Sequence, residues 1–249
     1  MRTINPADLV PMDIFVDKEP ITIDLVYAQA DHPRNIFGEA IYQPSARFWA
    51  HKDLALITLL AARLLNDQHG YKLKLKDCLR TVDAQAAMQK TNIVKAHPEW
   101  CVEGPSRLLA PPGHGAHPRS MAIDVCVLNK NGQEVDMGTP FDHMDETSAR
   151  AYTDFPEPAL TNRRVLEESF VKSAEILNMP FLPLPSEWWD FRFPPETYNQ
   201  FSAISDSDLP PQMQLSSQVA NNIPDFDATH FQRLADSLIH LIDKHHGSL

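Results

Sequence analysis

Cysteine is scarce in this chain of 249 residues: only Cys78, Cys101 and Cys126. An odd, widely spaced set gives no disulfide framework and no paired spacing for a cysteine zinc site, and it points to a reducing compartment. Glycine is also rare, with 8 residues against 21 prolines. That balance excludes collagen-like and low-complexity architectures and predicts many turns and fixed loops. Long apolar runs are missing. The longest, Leu54 to Leu65, contains Arg63 and falls short of the roughly 20 apolar residues that a membrane-spanning helix needs. Met1 to Asp8 has no apolar segment of the secretory kind. A basic excess is absent too. The net charge is −11 and no Lys/Arg run occurs, so the chain lacks a field for phosphates. A cytoplasmic protein with neither nucleic acid nor membrane as partner is expected.

What is present suits a globular chain. Hydrophobic residues make up 43% and charged residues 22%, too apolar for disorder and enough for a sizeable core. Ile21–Tyr27 reads as a strand. Lys52 to Asp67 carries Leu54, Ile57, Leu60, Ala61, Leu64 and Leu65 at helical spacing on one face, and Gly70 closes it as a C-cap. Tyr71–Lys76 alternates apolar and basic residues, a half-buried strand. Asp83 to Ala96 suits a helix capped by Asp83, and 104–119 is a loop rich in Pro, Gly and His. Met121–Leu128 is a strong strand, followed by a turn at Asn129–Gly132 and a returning strand from Gln133 to Met137. A helix over Asn162–Leu177 and a strand over Glu187–Phe193 follow. Residues 202–224 read as a polar linker, and Thr229–His245 as an amphipathic helix. Without a regular βαβ alternation the pattern is α+β: a small central antiparallel sheet flanked by helices. The expected division is one domain over 1–201, then a linker and C-terminal helix over 202–249. That helix either packs back on the domain or mediates a homodimer.

Two pairs carry potential chemistry. His117 and Asp124 flank the start of one strand. Glu187 and Asp190 open another that is otherwise aromatic, with Trp188, Trp189, Phe191 and Phe193. Carboxylates in such company are costly to bury unless paired or metal-bound. An imidazole with carboxylates is a workable zinc ligand set, and a further carboxylate can act as base toward an activated water. Such pairs also arise by chance. His114, His143, His245 and His246 read as loop or surface residues.

Gly115-Ala116-His117-Pro118-Arg119-Ser120-Met121-Ala122-Ile123-Asp124 resembles the S-x-H-x-x-G-x-A-x-D motif of the VanX-like zinc D-alanyl-D-alanine dipeptidases, relatives of the D,D-carboxypeptidases. His, Ala and Asp align, while Gly115 replaces the Ser and Ser120 the Gly. Glu187-Trp188-Trp189-Asp190 is similar to the family's E-W-W-H with its last residue changed. Asp77-Cys78-Leu79-Arg80-Thr81 is similar to D-G-Y-R-P. Met137 to Glu146 is similar to M-G-x-x-F-D-x-M-D-E, and Asn162-Arg163-Arg164 matches an N-R-R that opens a helix. Asn35, Phe37, Gly38 and Tyr42 fall in a familiar pattern as well. The likeness spans about residues 20 to 200.

The resemblance implies a single metallopeptidase domain that hydrolyses D-Ala-D-Ala or a similar small D-amino-acid dipeptide. It implies His117, Asp124 and Asp190 as metal ligands, Glu187 as general base and Arg80 as stabiliser of the oxyanion. Asp142 would receive the substrate ammonium; its plain alternative is a turn cap. Arg163 and Arg164 are expected to be structural, and Trp188 and Trp189 walls of the site or core. Asp190 stands where the family has His. It can still bind zinc, but it adds a negative charge, which should weaken Lewis acidity and favour a harder metal such as manganese. Two alternatives follow from that departure. One is a related peptidase or amidase on other peptidoglycan fragments with a different metal. The other is a degenerate, non-catalytic binding protein.

Overall fold

Helix α1 (Lys52–His69) is apolar almost all round, and it is buried accordingly. Every residue from Leu54 to Ala62 is enclosed, not one face alone. Gly70 ends it at φ +67, its N–H bonded to the Asn66 carbonyl, a left-handed cap that costs glycine least. The structure, a computed structural model, describes residues 1–103 and 109–247. The first part of the predicted loop, 104–108, lies outside the described residues.

The chain runs through β1 (Leu9–Pro11), β2 (Ile21–Ile23) and β3 (Trp49–His51) into α1, then β4 (Lys72–Asp77), α2 (Val82–Lys90), α3 (Asn92–Ala96) and β5 (Ala122–Leu128). It continues through α4 (Glu157–Ile176), β6 (Leu182–Pro183), β7 (Asp190–Arg192), α5 (Pro195–Tyr198) and α6 (Ala228–His246). The main sheet has the order β2-β4-β5-β7-β6, antiparallel except where β2 joins β4 in parallel. β1 and β3 form a separate antiparallel pair. The α+β architecture with a small sheet and flanking helices is as expected. β5 sits at its centre, with all seven residues buried.

Several boundaries differ from the sequence reading. Thr81, not Asp83, caps α2, its hydroxyl accepting from the Ala84 N–H. Extended backbone at Thr91 then separates α2 from α3. Gln133–Met137 does not return as a strand; one bridge, Leu128 to Glu134, remains. α4 begins at Glu157, because Pro156 and Pro158 suit a helix start, so Asn162-Arg163-Arg164 lies inside the helix instead of opening it. β2 and β7 are each three residues long.

The sheet register places the acids. Asp124 on β5 lies opposite Asp77 on β4 and Asp190 on β7, so three aspartates form one row across three strands. A bulge between Leu75 and Asp77 creates half of that row. It sets Asp77, not Lys76, beside Asp124, and bulges commonly re-aim a side chain next to a site. On β7 the intervening Phe191 faces the other way and stacks on Phe170 of α4, with ring centroids 4.1 Å apart.

Residues 202–224 are polar in composition yet pack closely. Ile204, Leu209, Met213 and Leu215 are buried. The buried Asp206 carboxylate accepts from the N–H groups of Leu215, Ser216 and Ser217 and from both serine hydroxyls. Helix α6, capped by Asp227, buries Phe231, Ala235, Leu238 and Ile242. Phe231 meets Trp49 at 5.3 Å between ring centroids, and Arg63 of α1 bridges Glu19 and Asp243. Among the described residues no helix is long and apolar enough to cross a membrane.

Candidate metal centre and active site

His117 sits on a short helical turn just before β5, and its ring is held from behind. Nδ1 lies 2.8 Å from the Cys78 carbonyl and donates to it. That bond fixes the neutral tautomer with its lone pair on Nε2. Nε2 faces Asp124 Oδ1 at 3.5 Å and Asp190 Oδ2 at 3.3 Å. Three lone-pair atoms converging this way repel unless a cation lies among them. Two ligands at about 2.0–2.2 Å from a tetrahedral zinc stand about 3.3–3.6 Å apart, which matches both separations. Asp124 Oδ1 is buried and has no hydrogen-bond partner, and a native interior seldom leaves such an atom without a purpose. The donor set therefore fits a divalent metal. With a proton in its place, burial opposes the charge on His117, but Asp124 overrides it and raises the imidazole to about 10.

Asp77, His117 and Asp124 converge as one group, and Asp124, Glu187 and Asp190 as a second that shares Asp124. Asp77 is already engaged. Its Oδ1 accepts from Tyr42 Oη at 2.6 Å, and its Oδ2 accepts from Arg80 Nε at 2.7 Å. It lies on the Nδ1 side of His117, at 3.8 Å. Its work is to hold Arg80, whose guanidinium also reaches Asp124 Oδ2 at 3.5 Å and lies over the Tyr27 ring.

Glu187 is half-buried, and its carboxyl is pushed up to about 8 by burial and by the charges of Asp190 and Asp124. Asp142, at φ +60, accepts from Tyr27 Oη at 2.5 Å. Burial pushes it up to about 7, against the pull of the Tyr27 hydrogen bond. Arg163 clamps the loop that carries Asp142, donating to the carbonyls of Met137, Thr147 and Ala149. Arg164 is exposed on α4. Trp188 and Trp189 are buried, and Trp188 Nε1 donates to Thr139 Oγ1 at 2.8 Å.

Asp190 does not carry its extra charge alone. Arg192, two residues on and therefore on the same face of β7, grips both of its oxygens: Nε donates to Oδ1 at 2.6 Å, and Nη2 donates to Oδ2. From behind, Arg150 donates to the carbonyls of Asp190 and Leu184 and lies over the Phe191 ring. The two motif departures near His117 both fall at left-handed positions. Ser120, in the motif's glycine position, is left-handed at φ +53, and its hydroxyl is tied to the Trp49 carbonyl. Gly115, in the motif's serine position, is at φ +83, where any side chain is strained.

Tyr27, Arg80, His117, Asp142, Glu187 and Arg192 line a cavity of about 180 Å³. Clefts for drug-sized ligands run to about 300–1,000 Å³, so this one suits a small molecule. His114 lines it too, but its side chain is exposed, and His143 pairs with Asp145 outside it. A larger groove of about 760 Å³ along α4 is lined by Leu160, Val171 and the ion pairs Arg150–Glu167 and Arg164–Glu157, and gathers no such constellation. The sequence reading did not single out Asp77, Tyr27 or Arg192 as site residues. Arg192 had a signal, its period-two spacing from Asp190 on a strand. Asp77 had its place three residues before Arg80.

Residues 7–206 match a family described as D-ala-D-ala dipeptidase. The D-alanyl-D-alanine dipeptidase of Escherichia coli (strain K12) is 32% identical over 198 residues, which cover 78% of this chain and 92% of that protein. A D-alanyl-D-alanine dipeptidase of Synechocystis sp. is 33% identical over 109 residues, 41% of this chain and 42% of that protein.

Proposed function

The chain belongs to the D-ala-D-ala dipeptidase family of peptidases, and from that premise we propose that it hydrolyses D-Ala-D-Ala or a similar small D-amino-acid dipeptide with the help of a divalent metal. The observation that carries this reading is the meeting of His117 Nε2, the unpartnered Asp124 Oδ1 and Asp190 beside Glu187 in one small cavity. His117, Asp124 and Asp190 would hold the metal. Zinc fits these donors, with manganese as a weaker second, and it would supply Lewis acidity toward water and the scissile carbonyl.

The remaining work falls to the chain's own groups. Glu187 takes the proton of the attacking water and passes it to the leaving amine. Arg80, pre-aimed by Asp77, meets the oxyanion of the tetrahedral intermediate with no reorganisation at that moment. Asp142, held by Tyr27, receives the free ammonium and so limits the substrate at its N-terminal end. The small cavity favours a dipeptide over larger peptidoglycan fragments.

The direct test is release of free D-alanine from D-Ala-D-Ala after chelation and after metal is added back. Loss on chelation and recovery with zinc is the expected result; no release with any metal would overturn the reading. Asp142→Asn is expected to raise KM for D-Ala-D-Ala by about 10–100-fold, the worth of one hydrogen bond to a charged group, with kcat changed far less. Steady-state kinetics check this, and an unchanged KM would remove Asp142 from substrate binding.

A further inference from the structure

Asp190 stands where the family motif has its third ligand, a histidine, and the geometry around Asp190 shows what offsets the change. Five carboxylates and two guanidiniums gather at or just behind the cavity: Asp77, Asp124, Asp142, Asp190 and Glu187 with Arg80 and Arg192. Asp142 is bonded by Tyr27 and set aside for the substrate ammonium. Asp77 is matched by Arg80, and Asp190 is matched by Arg192 through both its oxygens. Asp124 and Glu187 remain, two negative charges for one dication. A histidine at position 190 with an uncharged residue at 192 would leave the same two. We propose that Arg192 is a positioning residue that makes the Asp190 carboxylate behave as a charge-neutral metal ligand, so that the Asp190–Arg192 pair does the work of a single histidine.

The inference rests on the metal-dependent reading above, and it concerns a residue that reading does not use. The placement supports it in three ways. Asp190 is fully buried and the Arg192 side chain is 15% exposed, so solvent screens the pair little. Their spacing on β7 puts both on the face that bears the acid row. Arg150 holds the Asp190 backbone from the other side, so the strand does not depend on Arg192 for its place in the sheet. Asp190 Oδ2 still faces His117 Nε2, the direction in which a ligand must point.

The pair predicts effects of unusual sign. Asp190→His, which restores the family's residue, strands Arg192 as an unpaired cation beside the metal. It is expected to weaken zinc binding about tenfold or more. Adding Arg192→Gln to that variant removes the stranded charge and returns affinity to within a few-fold of the parent. Arg192→Gln alone leaves an extra negative charge and binds zinc at least as tightly as the parent. A strut with no electrostatic role would do the reverse, loosening zinc when Arg192 is lost and leaving the double variant no better than either single.

The experiment is a chelator-competition titration of zinc against the parent, the two single variants and the double variant, each checked by its thermal melt. Weak binding by Asp190→His with rescue in the double variant supports the proposal. Asp190→His binding as tightly as the parent, or a double variant that is not rescued, overturns it. If Arg192→Gln does not fold, the comparison of Asp190→His with the double variant still decides. A parent that binds no stoichiometric zinc overturns the metal-dependent reading itself, whereas a parent that binds zinc with additive variants overturns the Arg192 inference alone.

Discussion

Glu187→Gln is expected to lower kcat for D-Ala-D-Ala by about 10²–10⁴-fold, the usual worth of a positioned general base. The substitution keeps the side chain's size and its hydrogen-bonding reach, so the cavity keeps its shape. It removes only the ability to take a proton from water and return it to the amine. Zinc stoichiometry and the thermal melt should stay as in the parent, because His117, Asp124 and Asp190 are untouched. That combination separates a base from a ligand: loss of a ligand would lower metal content together with rate. Rate constants and metal content measured on one preparation check both halves, and a fully active Glu187→Gln protein would remove Glu187 from the mechanism.

The second large effect lies far from the chemistry. Asp206→Ala is expected to cost about 3–5 kcal/mol, because it leaves the N–H groups of Leu215, Ser216 and Ser217 and two hydroxyls without their acceptor. Against a typical total of about 5–15 kcal/mol, that is a drop in melting temperature on the order of 10 °C for a chain of this size. A thermal melt followed by circular dichroism measures it. A shift below about 2 °C would show that the segment is held by its apolar residues alone.

The parts of the fold that are legible in the sequence are those whose burial follows from a local period. α6 shows its face through Phe231, Leu238 and Ile242, and β5 shows itself as a continuous apolar run around Asp124. The family motifs point to His117, Asp124, Glu187, Asp142 and Arg80, and the fold brings all five to one cavity. What is not legible depends on contacts between distant segments. Residues 202–224 read as a polar linker because composition cannot show that Asp206 satisfies three backbone donors nine to eleven residues away. The extra charge at Asp190 reads as a defect as long as Arg192 counts as part of an aromatic strand and not as its partner. The returning strand after Gly132 fails for lack of a neighbour beyond a single bridge.

The bulge in β4 adds a consequence of another kind. Side chains of a strand point to alternate sides, so the distance along the chain from Leu75 decides which side Asp77 occupies. Lys72 to Lys76 alternate in a regular beat, and one surplus residue breaks it just before the carboxylate that anchors Arg80. The row of aspartates is thus written partly as a count, not only as a choice of amino acids. Pairing the same residues in a regular ladder would set Lys76 opposite Asp124 and turn Asp77 to the other side of the sheet, with every side chain still in the sequence. Register at this point is as much a part of the site as residue identity is.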